Sequence, residues 1–196
     1  MENKDINFLE FKKQTLSKLE NALQKHNVDQ LVIPVLSLIN EQPQYISTSS
    51  CAGRIIVMQL PKVGDKKQAI FHGKWHRPVE LNEVISAIKK YESDQLWFIA
   101  QAPIFHIAAE SVNDADRLLK IGVSSGFKHS GFKTIKDRII VELISTERMD
   151  VPIGRNGEAL VSNEYIQQLI LYANDLISRC QKKLYRLEKN MKNKIR

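Results

Sequence analysis

With 196 residues, 43% of them hydrophobic and 26% charged, the chain has the balance of a folded protein with a core of its own, which excludes a disordered chain. No apolar run approaches the roughly 20 residues of a bilayer crossing, and the charged start Met1-Glu2-Asn3-Lys4-Asp5 leads into no signal-peptide core, so a cytoplasmic protein without a membrane partner is expected. Cys51 and Cys180 are too few and too isolated for a disulfide framework or a zinc site, so no metal is expected, and the formal net charge of +7 makes the placement of the basic residues the next question.

Phe8, Phe11, Leu16, Leu19 and Leu23 fall near helical spacing and predict an amphipathic helix over about 5–26. Asn27 can cap a second helix running through Leu31, Val32, Val35, Leu36 and Ile39, with Pro34 either kinking it or sitting in its first turns. Residues 45–50 and 54–58 read as two strands joined by the small-residue turn Cys51-Ala52-Gly53, and a polar turn over 62–66 precedes a strand over 69–75. A helix follows over 81–91, then the apolar strand 96–100, which Pro103 separates from a strand over 104–109. A helix over 113–124 ends at Gly126, and a Gly/Ser/Lys-rich loop or short strand leads to the strand 139–144. Residues 149–153 add a short edge strand limited by Pro152, and the long last helix starts at Asn163.

The end of that helix is where the charge lies. Within Gln181–Arg196 the basic residues Lys182, Lys183, Arg186, Lys189, Lys192, Lys194 and Arg196 face the single acid Glu188, so this segment holds six of the seven net positive charges. It can draw in nucleic acid electrostatically, or it is a solvated, frayed helix end. Strands and helices interleave without the regular alternation of a doubly wound sheet. The fold expected is therefore α+β: a single mixed β-sheet flanked by helices in one domain over 1–196, and not Rossmann-type. The tetrad Arg54-Ile55-Ile56-Val57 recurs as Arg138-Ile139-Ile140-Val141 and leaves a duplicated unit open.

The densest chemistry lies in Ser47-Thr48-Ser49-Ser50-Cys51-Ala52-Gly53-Arg54-Ile55, where hydroxyls, a thiol, a compact glycine turn and a fixed positive charge fall between two strands. It is either a ligand loop or a polar turn leading into a core strand. The planar fork of Arg54 suits a carboxylate or phosphate, and equally a structural acid.

Thr48-Ser49-Ser50-Cys51-Ala52-Gly53-Arg54-Ile55 resembles the signature of the tRNA wybutosine-synthesizing protein 3 family. So do Gly64-Asp65-Lys66-Lys67, Gly73-Lys74-Trp75-His76, Pro103-Ile104-Phe105-His106-Ile107, Ser125-Gly126-Phe127-Lys128-His129-Ser130-Gly131, and Val151-Pro152 with Glu164-Tyr165-Ile166 and Ala173-Asn174. The sequence departs from many relatives at Phe132 and at Phe71-His72. The resemblance implies methylation of N4 of a 4-demethylwyosine-type base at position 37 in the anticodon loop of phenylalanine tRNA, with S-adenosylmethionine as donor and a fold unlike the usual methyltransferases. The alternative is a non-catalytic RNA-binding module.

Methyl transfer to nitrogen is an in-line displacement that rewards alignment and requires the nitrogen to lose a proton. His76 and His106 are the candidate bases, and each also suits a structural role. Ser49, Ser50, Cys51, Gly53 and Arg54 form one pole of the expected site, and Ser125, Gly126, Phe127, Lys128, Ser130 and Gly131 the other. Trp75 suits base stacking or a half-buried core position, and Lys128 and Lys133 suit phosphates or solvent. Oligomeric state, and which pole takes the donor, are left open.

Overall fold

The computed structural model describes residues 8–62 and 68–195. The motif Gly64-Asp65-Lys66-Lys67, all but Lys62 of the turn over 62–66, and residues 5–7 of the expected first helix lie outside the described residues. In chain order the elements are α1 (Phe8–Gln24), a one-turn 3-10 helix (Gln30–Val32), α2 (Ile33–Glu41), β1 (Tyr45–Cys51), β2 (Arg54–Leu60), β3 (Ile70–Trp75), α3 (Leu81–Ile88), β4 (Gln95–Gln101) and β5 (Ile104–Ala109). Then follow α4 (Val112–Ser124), β6 (Gly131–Thr134), β7 (Ile139–Ile144), β8 (Met149–Arg155), β9 (Glu158–Ala159) and α5 (Asn163–Lys194). Among the described residues no helix is long and apolar enough to cross a membrane.

The α+β class stands, and the arrangement is not Rossmann-type, but the single mixed sheet is corrected to two antiparallel ones, ordered β1-β5-β7-β6 and β3-β2-β4-β8-β9. They belong to two compact units, the first made of 1–52, 103–146 and 181–196 and the second of 53–102 and 147–180. The strands on either side of Cys51-Ala52-Gly53 therefore do not pair as a hairpin. Gly53 takes a φ of 87°, open to glycine at no steric cost, and the chain leaves one sheet there. Pro103, with no N–H to donate, marks the return between β4 and β5. The first Arg-Ile-Ile-Val tetrad opens β2 and the second leads from Arg138 into β7, and each of these strands lies between its hairpin partner and one further strand, β3 and β4 for β2, β6 and β5 for β7.

In the first unit α2, α4 and the end of α5 bury one face of the four-stranded sheet, and Leu19 of α1 packs against the same core. Tyr45, Phe105, Ile107, Phe127, Val141 and Leu143 are fully buried there with Leu118 of α4 and Leu187 and Met191 of α5. Phe105 and Phe127 stack with tilted rings 6.0 Å apart. Tyr45 ties the start of β1 to α4 by donating to the Asp114 carbonyl at 2.8 Å, and burial pushes its hydroxyl up to about 12. Lys12 of α1 donates its ammonium to the carbonyls of Gln42 and Tyr45 just past α2, and burial lowers its pKa. Ser111 caps α4 by accepting from the Asp114 N–H at 3.1 Å. The basic helix end is not frayed, because Leu184, Leu187, Met191 and Ile195 are buried in this core.

In the second unit β2 and β4 form the centre, with Ile55, Val57, Leu96 and Phe98 packed on α3 and the first part of α5, and Ile56, Met58, Leu60 and Ile99 clustered on the opposite face. β8 is corrected from an edge to a paired strand. Its neighbours are β4 and the two-residue β9, and a register shift between Leu96 and Trp97 accommodates Pro152. Trp75 lies half-buried against this core, with its six-membered ring over Gly73, where an added Cβ would fall 2.0 Å from the ring. Gly73→Ala should displace the indole at a cost of ~1–3 kcal/mol. In a Trp97→Phe background the remaining tryptophan emission should shift to the red and the melting temperature should fall; an unchanged spectrum and melt would refute the close packing.

Candidate functional site

The sheet register of the first unit brings the two motif poles into one row. Ser49 of β1 lies opposite His106 of β5, His106 opposite Glu142 of β7, and Glu142 opposite Gly131 of β6. Phe105, Ile107, Val141 and Leu143 point to the core, so period-2 alternation turns His106 and Glu142 to the other face of the sheet. A register shift between Ser47 and Ser49 sets the Ser49 hydroxyl toward the histidine.

Ser49 Oγ lies 2.8 Å from His106 Nδ1, and His106 Nε2 lies 2.6 Å from Glu142 Oε2. Lys133 Nζ reaches the same carboxylate oxygen at 3.2 Å. The hydrogen bond from His106, and then Lys133, hold the Glu142 carboxyl below its ordinary range despite the opposing effect of burial. An ionised carboxylate only accepts, so His106 donates its Nε2–H to Glu142, and in the neutral imidazole Nδ1 then accepts from the Ser49 hydroxyl. The sign is the usual one for a depressed carboxylate: this stabilisation is present at neutral pH and lost as pH falls through the lowered folded-state value. The His106 and Glu142 side chains are 27% and 23% exposed, within reach of a ligand. Gly131 closes the row with no atom within 4 Å of where a Cβ would stand, so its missing side chain leaves open space beside Glu142.

Ser49 also belongs to a second feature. A cleft of about 280 Å3 runs between α1 and the outer edge of β1, lined by Leu19, Ala22, Val28 and Leu36, by Lys18, and by Ser47, Thr48, Ser49 and Ser50. The Ser47 N–H and hydroxyl both bind Asn40 Oδ1, at 2.8 and 3.0 Å, which fixes the start of this edge. Cys51 ends β1, half-buried and not in a disulfide.

The second pole divides. Ser125 is fully buried, donating to the Ile121 carbonyl at 2.7 Å and accepting from Asn190 at 2.9 Å, and Phe127 is a core side chain, so both build the fold rather than face a ligand. Gly126 takes a φ of 102° after the end of α4, with the Lys183 stem packed over it. Ser130 accepts from the Ile144 N–H at 3.1 Å and donates to the Phe127 carbonyl at 2.6 Å. Lys128 is exposed, and Gly131 alone of this pole joins the row.

Gly53, Arg54, Trp75 and His76 fall in the second unit. The Arg54 Nε–H donates to Gln101 Oε1 at 2.8 Å, and its guanidinium lies 5.8 Å from the centre of the Phe71 ring. Among the described residues no carboxylate pairs with it. His76 donates Nδ1–H to the Gly53 carbonyl at 3.1 Å and so braces the glycine turn. His72 Nε2 donates to Gln59 Oε1 at 2.9 Å, which gives Phe71-His72 contacts within the unit. Sequence reasoning missed Glu142; the signal was a charged residue alternating within the apolar run 139–144.

The family model described as Methyltransferase TYW3 matches residues 10–193. A Pyrococcus furiosus protein named tRNA(Phe) 7-((3-amino-3-carboxypropyl)-4-demethylwyosine(37)-N(4))-methyltransferase 1 is 50% identical over 186 residues, 94% of this chain and 95% of its own. A Methanocaldococcus jannaschii protein of the same activity name is 39% identical over 185 residues, 92% of this chain and 95% of its own. A solved structure of a Pyrococcus horikoshii protein superposes with a TM-score of 0.90 at 49% identity, covering 94% of this chain and 96% of its own.

Proposed function

The chain belongs to the methyltransferase TYW3 family, and from that premise we propose that it transfers a methyl group from S-adenosylmethionine to N4 of the 4-demethylwyosine-type base at position 37 of phenylalanine tRNA. One family match spanning both compact units supports reading them as a single functional domain. The observation that carries the mechanism is the double position of Ser49, on the wall of the α1–β1 cleft and at the head of the Ser49–His106–Glu142 row.

The cleft has the mixed character the donor requires. Leu19, Ala22, Val28 and Leu36 offer apolar contact to an adenine and a thioether stem, the hydroxyls of Thr48 and Ser50 offer partners to a ribose, and Lys18 offers a cation to a carboxylate. Bound there, S-adenosylmethionine supplies an electrophilic methyl. The residues of the row manage the proton that the alkylated nitrogen must release. Ser49 Oγ accepts it as its own proton passes to His106 Nδ1, and Glu142 stabilises the imidazolium that results. Lys133 and the space beside Gly131 leave room and positive charge for the nucleotide.

No thiol addition is needed for attack by a ring nitrogen, so Cys51→Ala should keep turnover within about tenfold, a barrier change no larger than about 1.4 kcal/mol. Loss by several orders of magnitude in a folded Cys51→Ala would make Cys51 a participant. The reading itself is tested in cells lacking the protein. Their phenylalanine tRNA should accumulate a base lighter by one methyl, whereas an unchanged nucleoside profile would reject the assignment.

A further inference from the structure

Within the first unit, Lys182, Tyr185, Arg186 and Lys189 of α5 line a shallow groove of about 560 Å3 with Gln181. They recur at i, i+3, i+4 and i+7 and so share one helix face, while Leu184, Leu187 and Met191 are buried on the other. Glu188, the acid of the segment, is taken by Lys192 at 2.6 Å, so no carboxylate among the described residues pairs with Lys182, Arg186 or Lys189. Tyr185 is 70% exposed beside them. Three unneutralised cations around an exposed phenol hydroxyl match a phosphodiester backbone, which takes ion pairs at its phosphates and a hydrogen bond from tyrosine.

We propose that this face grips the backbone of the substrate tRNA at nucleotides other than the target base, an inference that rests on the tRNA reading above. The separation follows from the packing. Leu184, Leu187 and Met191 share the core with Phe105, Ile107, Val141 and Leu143, whereas His106 and Glu142 alternate to the other face of the same strands. A helix packed about 10 Å from a sheet, with its outer face a further helix radius away, stands on the order of 15 Å from that row. One nucleotide cannot occupy both. Residues 182 to 189 extend about 10 Å along the helix axis, enough to follow more than one phosphate of a strand.

The test is the full-length triple variant Lys182→Gln, Arg186→Gln, Lys189→Gln, which keeps strong helix formers at each position, together with Tyr185→Phe. Affinity for phenylalanine tRNA is measured without donor across a salt series, and kcat and KM with it. The triple variant should bind at least tenfold more weakly at low salt, flatten the log–log salt slope by about 2–3 at roughly 0.7–0.9 per phosphate contact, raise KM and leave kcat unchanged. Tyr185→Phe should weaken binding without altering the slope. Unchanged affinity and slope in the triple variant would overturn the proposal. So would loss of binding to phosphatidylserine vesicles with tRNA affinity intact, which would assign the face to a membrane. Because binding is read without donor, the two readings fail separately: absent methyl transfer with the predicted loss of tRNA affinity rejects the enzymatic reading alone.

Discussion

Replacing His106 by Ala should lower kcat by roughly 10²–10⁴-fold, the range general-base catalysis supplies, with little change in KM for tRNA. The reason is geometric: His106 is the group that accepts the proton from Ser49 and is itself oriented by Glu142. Ser49→Ala should lose a comparable factor and not add to it in the double variant, because two members of one relay fail together. Glu142 acts through His106, so Glu142→Gln should displace the pH–rate profile and leave donor affinity intact. If the row were only structural, all three variants would melt earlier and the fraction remaining folded would keep its turnover and its pH profile.

Arg54→Ala should lower kcat/KM by about 30–150-fold, the equivalent of ~2–3 kcal/mol for a charge-assisted hydrogen bond. The Nε–H donates to Gln101 and the stem lies beside Phe71, which fixes the guanidinium while its outer N–H groups face no carboxylate among the described residues. Arg54→Lys keeps the charge, loses the fork and the Gln101 contact, and should recover little. Melting temperature separates the alternatives: a ligand role predicts lost turnover with a nearly unchanged melt, and a role in holding β2 to β4 predicts a lower melt first. Near-normal turnover in Arg54→Ala would show that its guanidinium holds no ligand.

Much of the fold was legible because it rests on local periodicity. β5 and β7 begin and end where their alternating or β-branched runs predict, and α4 starts one residue from its expected position. Sheet membership was not legible. The β-branched and hydroxyl-bearing runs say that residues 45–50 and 54–58 are extended, but the turn Cys51-Ala52-Gly53 suits a hairpin and a change of sheet equally well. The same limit governed the site. Ser125 and Phe127 enter the expected site as part of a Gly/Ser/Lys-rich motif, yet a hydroxyl that binds its own helix and a core phenyl serve equally to build a turn. Glu142 was passed over within an apolar run because its meaning depends on register: only the pairing of β5 with β7 places it against His106.

The most direct measurement of the central claim is transfer of labelled methyl from S-adenosylmethionine by the purified full-length protein to phenylalanine tRNA carrying the unmethylated tricyclic base, followed by mass analysis of the isolated nucleoside. The tricyclic base should gain one methyl on N4, and Ser49→Ala and His106→Ala should slow that gain while still binding tRNA. Folded protein that binds this tRNA yet leaves the base unmethylated, or methylates another nucleoside, would contradict the account.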